Sequence, residues 1–115
     1  MQIKSDLGEK QETQTAKSLT RTQRTALLKA LADPKRFELL ERIAKSSRPL
    51  GCTNARESLA ISPATLSHHI KELESAGLIS IRREGKFHFL SIEPGILEAL
   101  AASLQSLSPT SYPAR

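Results

Sequence analysis

The chain has 115 residues, 38% hydrophobic and 25% charged, which is enough for one small domain and typical of a globular protein. No stretch approaches the roughly 20 apolar residues that span a bilayer, the polar start lacks a secretory signal, and the single cysteine excludes an intrachain disulfide framework, so we expect a cytoplasmic protein. The net charge of +5 lies in the middle of the chain, where residues 19–92 carry 13 Lys or Arg against 7 Asp or Glu. Such a surface suits a polyanionic partner, although a basic surface without any partner has the same composition.

The chain divides into three predicted parts. Residues 1–18 are polar and have no periodic apolar positions, so we expect a disordered or frayed arm. Residues 108–115 contain two prolines and are predicted to be irregular. The folded domain is therefore predicted to span residues 19–107.

Two helices are predicted at the start of this domain, over residues 20–32 and 34–46. Thr20 and Gln23 have the spacing of a capping box, which marks the first helix start. Asp33 followed by Pro34 ends that helix and begins the second, as N-cap and first helical residue. Apolar residues occupy more than half of the circumference of the second helix, so we expect it to be the central helix, followed by a loop over 46–51.

The next two predicted helices have the arrangement of a helix-turn-helix. A short helix fits residues 53–60, with Thr53 as N-cap. A longer one runs from Ser62 as N-cap to Ala76, and Gly77 provides the left-handed residue that ends it. Because only a few residues separate the two helices, they are predicted to form a tight helical pair.

The longer helix of this pair has one polar face that suits the DNA major groove. At about 100° per residue, Leu66, Ile70 and Leu73 point to the core, and His69 lies at the core margin. Small hydrogen-bonding side chains and one cation lie on the outer sides: Thr65, Ser67, His68 and Lys71. Such residues let a helix approach base edges and phosphates, although an ordinary amphipathic helix has a similar solvated face.

A hairpin and a last helix complete the predicted order ααααββα, a mainly α fold with a small β-hairpin. Strands are predicted over 78–81 and 87–90, and the basic tip between them carries Arg82, Arg83 and Lys86. This tip is either a wing that lies along the DNA backbone or a charged hairpin without a partner. His88 alternates with Phe87 and Phe89, so we expect it to face solvent as a structural residue or a minor backbone contact.

These motifs resemble the ArsR family of winged helix-turn-helix transcriptional repressors. The segment SPATLSHHIKELESAGLI at 62–79 and the segment RREGK at 82–86 resemble the family's recognition helix and wing, and ALADPKRFELL at 30–40 resembles its opening segment. The resemblance implies a homodimer that binds a palindromic operator, usually as a repressor. By position it implies DNA contacts by Thr65, Ser67, His68, His69, Lys71, Arg82 and Lys86. The basic character of the hairpin tip makes Arg83 a further candidate.

The sequence departs from the metal sensors of that family. One of their sites uses a Cys-x-Cys pair near the first helix of the motif, where this chain has only Cys52. The other uses Asp and His on the last helix, where residues 93–107 contain Glu93 and Glu98 and no His. We therefore expect no cofactor and no tight metal site. A redox- or metal-responsive regulator that uses Cys52 is the alternative, and the sequence identifies no inducer.

The terminal helices are predicted to form the homodimer. The last helix, from Glu93 to Leu107, has one broad apolar face: Ile96, Leu97, Leu100, Leu104 and Leu107. Leu27, Leu28 and Leu31 on the first helix are the expected partners. A last helix that folds back on its own core is the alternative.

The resulting hypothesis is a sequence-specific DNA-binding transcriptional regulator and not an enzyme. No Ser or Cys has a convincing base and orienting carboxylate, and no Gly-rich phosphate loop is present. The rival is a winged-helix protein-interaction module without specific DNA binding. An acidic wing would favour that rival, whereas this wing is basic.

Overall fold

A computed structural model describes residues 18–109. The helices are α1 (Arg21–Leu31), α2 (Pro34–Lys45), α3 (Cys52–Leu59), α4 (Pro63–Ser75) and α5 (Ile96–Gln105). The strands are β1 (Leu50–Gly51), β2 (Ile79–Glu84) and β3 (Phe87–Ile92), which form an antiparallel sheet in the order β1-β3-β2. The predicted arm over 1–18 lies outside the described residues except for its last residue, and the predicted tail lies outside them beyond residue 109.

Side-chain caps set the starts of three helices where the sequence predicts them. Thr20 Oγ1 accepts the Gln23 amide at 3.0 Å, and Gln23 Oε1 accepts the Thr20 amide at 2.8 Å, which is a complete capping box. Asp33 and Ser62 each accept the amide three residues further on, at 3.0 and 3.1 Å. The predicted starts of α1, α2 and α4 are thereby confirmed.

The region around α3 differs from the prediction in two ways. Gly51 is the N-cap, without a side-chain hydrogen bond, so the prediction of Thr53 as the cap is wrong. The predicted loop over 46–51 also contains a strand, because Leu50 and Gly51 pair with Leu90 and Phe89 of β3. Two residues are too few to produce an alternating pattern, so no local signal predicts this strand.

The hairpin is longer and its turn is tighter than predicted. β2 and β3 pair along all six residues of each strand, which leaves Gly85–Lys86 as the turn. Gly85 has a φ of +61°, a conformation that glycine adopts without a side-chain clash. The predicted tip over 82–86 is therefore too long, because Arg82 and Arg83 belong to the strand and point to opposite faces of the sheet.

The hydrophobic core lies around α2, as predicted for a central helix. Its fully buried large side chains come from α1, α2, α4, the residue just before β2, and β3: Leu27, Leu39, Leu73, Leu78 and Leu90. α2 packs against α1, α3, α4 and β3. Burying each Leu contributes roughly 1.5–3 kcal/mol, so this core holds α4 and the base of the hairpin in fixed relative positions.

The terminal helices contribute to the same core, which corrects part of the predicted dimer surface. Leu27 and Leu100 are only 0% and 6% exposed in a single protomer. α1 and α5 turn their apolar sides onto the core, so these two leucines are already covered and are not available to a second copy. Leu31, Ile96 and Leu97 are partly buried against the core. Leu28, Leu104 and Leu107 remain exposed.

The last helix is also shorter than predicted. It begins at Ile96 and not at Glu93, because Gly95 adopts a left-handed conformation with a φ of +83° immediately before it. It ends at Gln105, and a turn follows. Leu107 therefore lies just beyond the helix and is 79% exposed.

Candidate nucleic-acid interface

α4 turns a polar face outwards while its other side is buried. Leu66 and Leu73 are buried in the core, as the helical spacing predicts. Four predicted contact residues are exposed on this helix: Thr65, Ser67, His68 and Lys71. The first three lie in the N-terminal half of the helix, so short donors and acceptors cluster where a recognition helix meets base edges.

The first turn of α4 holds one of these side chains in place. Ser62 Oγ donates to Thr65 Oγ1 at 2.9 Å and also accepts the Thr65 amide at 3.1 Å. Thr65 thus accepts one hydrogen bond within the cap and keeps its own hydroxyl hydrogen as a donor. Its side chain is oriented before any ligand arrives.

His69 lies on the inner side of α4, and this position disagrees with its predicted DNA contact. The residue is only 5% exposed, and its Nδ1 accepts the Nε–H of Arg36 on α2 at 3.4 Å. Burial lowers the pKa of His69 because it disfavours the charged ring, while the Asp33 carboxylate partly offsets this effect. A buried ring bonded to α2 does not reach a DNA groove.

The two faces of the hairpin carry different basic side chains. Arg83 and His88 are paired across the strands on the face that also carries Ile81 and Leu90. Phe87 is 61% exposed on the opposite face. His88 is exposed, as predicted, but it lies at the edge of the inner face.

Arg82 on the outer face is already engaged within the wing. Its Nε lies 2.8 Å from Glu84 Oε2, and its guanidinium lies 5.2 Å from the centre of the Phe89 ring. An exposed ion pair contributes about 0–1 kcal/mol, so a phosphate group can compete with Glu84 for this arginine. Before any DNA binds, the positive charge of Arg82 is therefore already partly neutralised by Glu84, unlike the charges of Arg83 and Lys86 within the described residues.

A groove joins α4 to the inner face of the wing. Its lining includes Ser67 and Lys71 from α4 and Arg83 and His88 from the hairpin. Glu74 also lines it, near the C-terminal end of α4. The exposed side of α4 and the inner face of the wing thus form one continuous surface on which Lys71 and Arg83 provide positive charge.

Cys52 lines the same groove but does not have the features of a reactive thiol. It is half-buried, and burial raises the pKa of its thiol, which disfavours the thiolate that reacts or binds metal. Within residues 18–109, no three His, Cys, Asp or Glu side chains come together as a metal-binding group. In the same part of the chain, no helix has the length and apolar character to cross a membrane.

A second surface, on α1 and α5, is apolar. Arg24 Nη1 donates to Ser103 Oγ at 3.4 Å, which joins the two helices. Leu28 lies one turn after Arg24 and is 45% exposed, and Leu107 lies four residues after Ser103. Leu104 is also 45% exposed. Leu28 on α1, Leu104 on α5 and Leu107 just beyond α5 are thus exposed, and exposed leucines of this kind are typical of a protein-interaction surface.

The chain resembles known regulators in both sequence and structure. The helix-turn-helix domain family matches residues 31–82, from the end of α1 into β2. The chain is 30% identical over 84 residues to the arsenical resistance operon repressor of Staphylococcus aureus, an alignment that covers 73% of this chain and 79% of the repressor.

Two solved structures extend this comparison. An ArsR family transcriptional regulator superimposes with a TM-score of 0.69 and 25% identity, and the match covers 77% of this chain and 90% of that one. The homodimeric winged helix-turn-helix DNA-binding domain of a Mycobacterium bovis protein superimposes with a TM-score of 0.62 and 25% identity, over 80% of this chain and 88% of that domain.

Proposed function

The chain belongs to the ArsR family of winged helix-turn-helix transcriptional regulators, which are DNA-binding proteins and not enzymes, and we propose that it represses transcription as a homodimer bound to a palindromic operator. The observation that carries the proposal is the continuous surface formed by the exposed side of α4 and the basic wing. On this surface, base contacts supply sequence preference and phosphate contacts supply affinity.

α4 is the proposed reader of base edges. Ser67 and His68 are exposed in its N-terminal half, and Thr65 is oriented by the Ser62 cap. These side chains are short enough for the helix backbone to approach the floor of the major groove. Lys71 lies one turn after Ser67, where it suits a phosphate at the groove edge.

The wing is the proposed phosphate clamp. Arg83 and Lys86 are exposed and make no ion pair among the residues that the structure describes, so they are the main candidates for backbone contacts. Arg82 contributes after it exchanges Glu84 for a phosphate oxygen. Such contacts carry little sequence information but fix how the protein sits on the duplex.

The apolar surface of α1 and α5 is the proposed dimer interface. Leu28, Leu104 and Leu107 are its exposed residues, and the related Mycobacterium bovis domain is homodimeric. A twofold axis through this surface would present two copies of α4 to half-sites about one helical turn, roughly 34–36 Å, apart. This symmetry is the reason to expect a palindromic operator.

Selection of duplexes from a random pool tests the proposal. We expect the purified protein to enrich one palindromic motif and to bind it at least about a thousandfold more tightly than random duplex. Lys45→Ala is the matched charge control, because Lys45 is exposed at the end of α2 and does not line the groove. Enrichment of no motif, or of one without twofold symmetry, would contradict the proposed function.

A further inference from the structure

Arg36 and His69 connect the recognition helix to the rest of the domain. Resting on the proposed function, we propose that they form a positioning pair which sets the orientation of α4 for base contacts. Neither residue touches DNA in this scheme. The pair acts by fixing the rotation of α4 about its own axis, and therefore the direction in which Ser67 and His68 point.

Arg36 joins three elements through one guanidinium. Its Nη1 donates to the carbonyl oxygen of Ala30 in the last turn of α1 at 3.2 Å, and its Nε donates to His69 Nδ1 on α4 at 3.4 Å. Its Nη2 also lies 4.0 Å from Asp33 Oδ2, on the N-cap of α2. The Arg36 side chain is only 11% exposed, so water competes little for these contacts. α4 is thereby linked to the helix that carries the proposed dimer surface.

This link requires the neutral form of His69. A guanidinium only donates hydrogen bonds, so Nδ1 has to be the unprotonated acceptor and the ring hydrogen has to lie on Nε2. The titratable groups that act on the ring are Asp33, Lys35 and Arg36 from the start of α2, with His68 from its own helix. Of these four, only Asp33 favours a protonated ring, and burial of the ring opposes it.

A directional contact is needed to fix the rotation of α4, because the other side chains that attach this helix to the core are apolar. Leu66 and Leu73 hold the helix by packing, which tolerates small rotations better than a hydrogen bond does. Among residues 18–109, His69 is the one side chain of α4 with a hydrogen bond to another helix. His68 is the next residue, with its ring centre 6.0 Å from that of His69, so a rotation that breaks the buried contact also moves a proposed base contact.

Two substitutions of His69 separate positioning from packing. In His69→Asn, the side-chain oxygen takes the place of Nδ1 and can still accept from Arg36. In His69→Leu, the apolar packing is retained but the acceptor is lost. The measurement is the affinity for the duplex selected by the wild-type protein, divided by the affinity for a random duplex, with the melting temperature recorded for each variant.

We expect His69→Leu to remain folded and to lower this ratio roughly five- to tenfold, whereas His69→Asn should stay within about twofold of the wild type. Arg36→Met removes the donor instead, should give a similar loss, and should add little to His69→Leu in the double variant, because both break one contact. If His69→Leu does not fold, the ratio measured for Arg36→Met tests the positioning pair instead.

Three results would overturn the positioning pair. These are an unchanged ratio in His69→Leu, an equal loss in folded His69→Asn, and fully additive effects of Arg36→Met and His69→Leu. If the wild-type protein itself fails to distinguish the two duplexes, the proposed function fails and the positioning pair fails with it. The affinity ratio of the wild-type protein therefore distinguishes a failure of the proposed function from a failure of the positioning pair alone.

Discussion

α4 and the wing contribute to the same surface, but the protein holds them very differently. α4 is fixed by buried Leu66 and Leu73 and by the Arg36–His69 hydrogen bond. The outer part of the wing projects from the domain, with every residue from 82 to 88 exposed. A fixed helix suits base contacts, which need defined geometry, whereas a projecting hairpin suits phosphate contacts, which depend mainly on charge. The difference in anchoring thus indicates a division between specificity and affinity.

Loss of the dimer should have the largest effect, because it removes half of the contacts of both regions at once. Leu104→Glu with Leu107→Glu places charges on the exposed leucines at the end of α5 and just beyond it, and leaves the core residue Leu100 in place. We expect a folded monomer in analytical ultracentrifugation and an affinity for the palindromic duplex lower by at least about a hundredfold. Glu substitutions at two exposed positions away from this surface provide the control. A double variant that still sediments as a dimer would contradict the interface.

Removal of the free wing cations should weaken all duplexes alike. For Arg83→Ala with Lys86→Ala, we expect similar losses for selected and random duplexes. The slope of log affinity against log salt should fall by about one unit per lost phosphate contact. Lys45→Ala should change neither quantity. A loss confined to the selected duplex would assign base reading to the wing and remove the distinction between the two regions.

Removal of the acidic partner of Arg82 should strengthen binding slightly. Glu84→Gln eliminates the ion pair at 2.8 Å and one negative charge from the wing. We expect affinity for both duplexes to rise by about two- to fivefold at low salt, since exposed pairs contribute about 0–1 kcal/mol. Glu41→Gln, at an exposed position on α2, is the matched control. Unchanged or weaker binding would mean that Arg82 does not face DNA.

The smallest expected effect concerns pH and the anchor of α4. Because burial lowers the pKa of His69 below its ordinary value of 6.5, the folded protein binds this proton less readily than the unfolded chain. The stability contributed by the neutral ring is complete above about pH 6.5 and declines as the pH falls further. Melting temperatures between pH 8 and pH 5 should fall more for the wild type than for His69→Asn. Parallel curves for the two proteins would contradict this assignment.

The sequence predicted those parts of the site that follow from local rules. Ser62 and Gly77 mark the two ends of the recognition helix, and the helical spacing places Leu66 in the core and Ser67 on the exposed side. These features depend on residues within one or two turns of each other, so they can be read without knowing the fold.

Contacts between distant segments could not be predicted in this way. The partner of His69 lies 33 residues earlier, and nothing in the spacing of either segment indicates that the two side chains meet. The alternation of His88 with Phe87 and Phe89 predicted that His88 faces solvent, but not that it shares the inner face of the wing with Leu90. In an alternating strand, a shift of one residue exchanges the two faces completely.

The motif selected from random duplexes tests most directly whether α4 reads bases and the wing holds phosphates. Selections with the wild type, with Arg83→Ala plus Lys86→Ala, and with Ser67→Ala plus His68→Ala should be run in parallel at a salt concentration where each protein binds. We predict the same motif for the wild type and the wing variant. The α4 variant should lose preference at one or two positions in each half-site, corresponding to about 1–3 kcal/mol per good base contact. An unchanged motif from the α4 variant, together with an altered motif from the wing variant, would contradict this account.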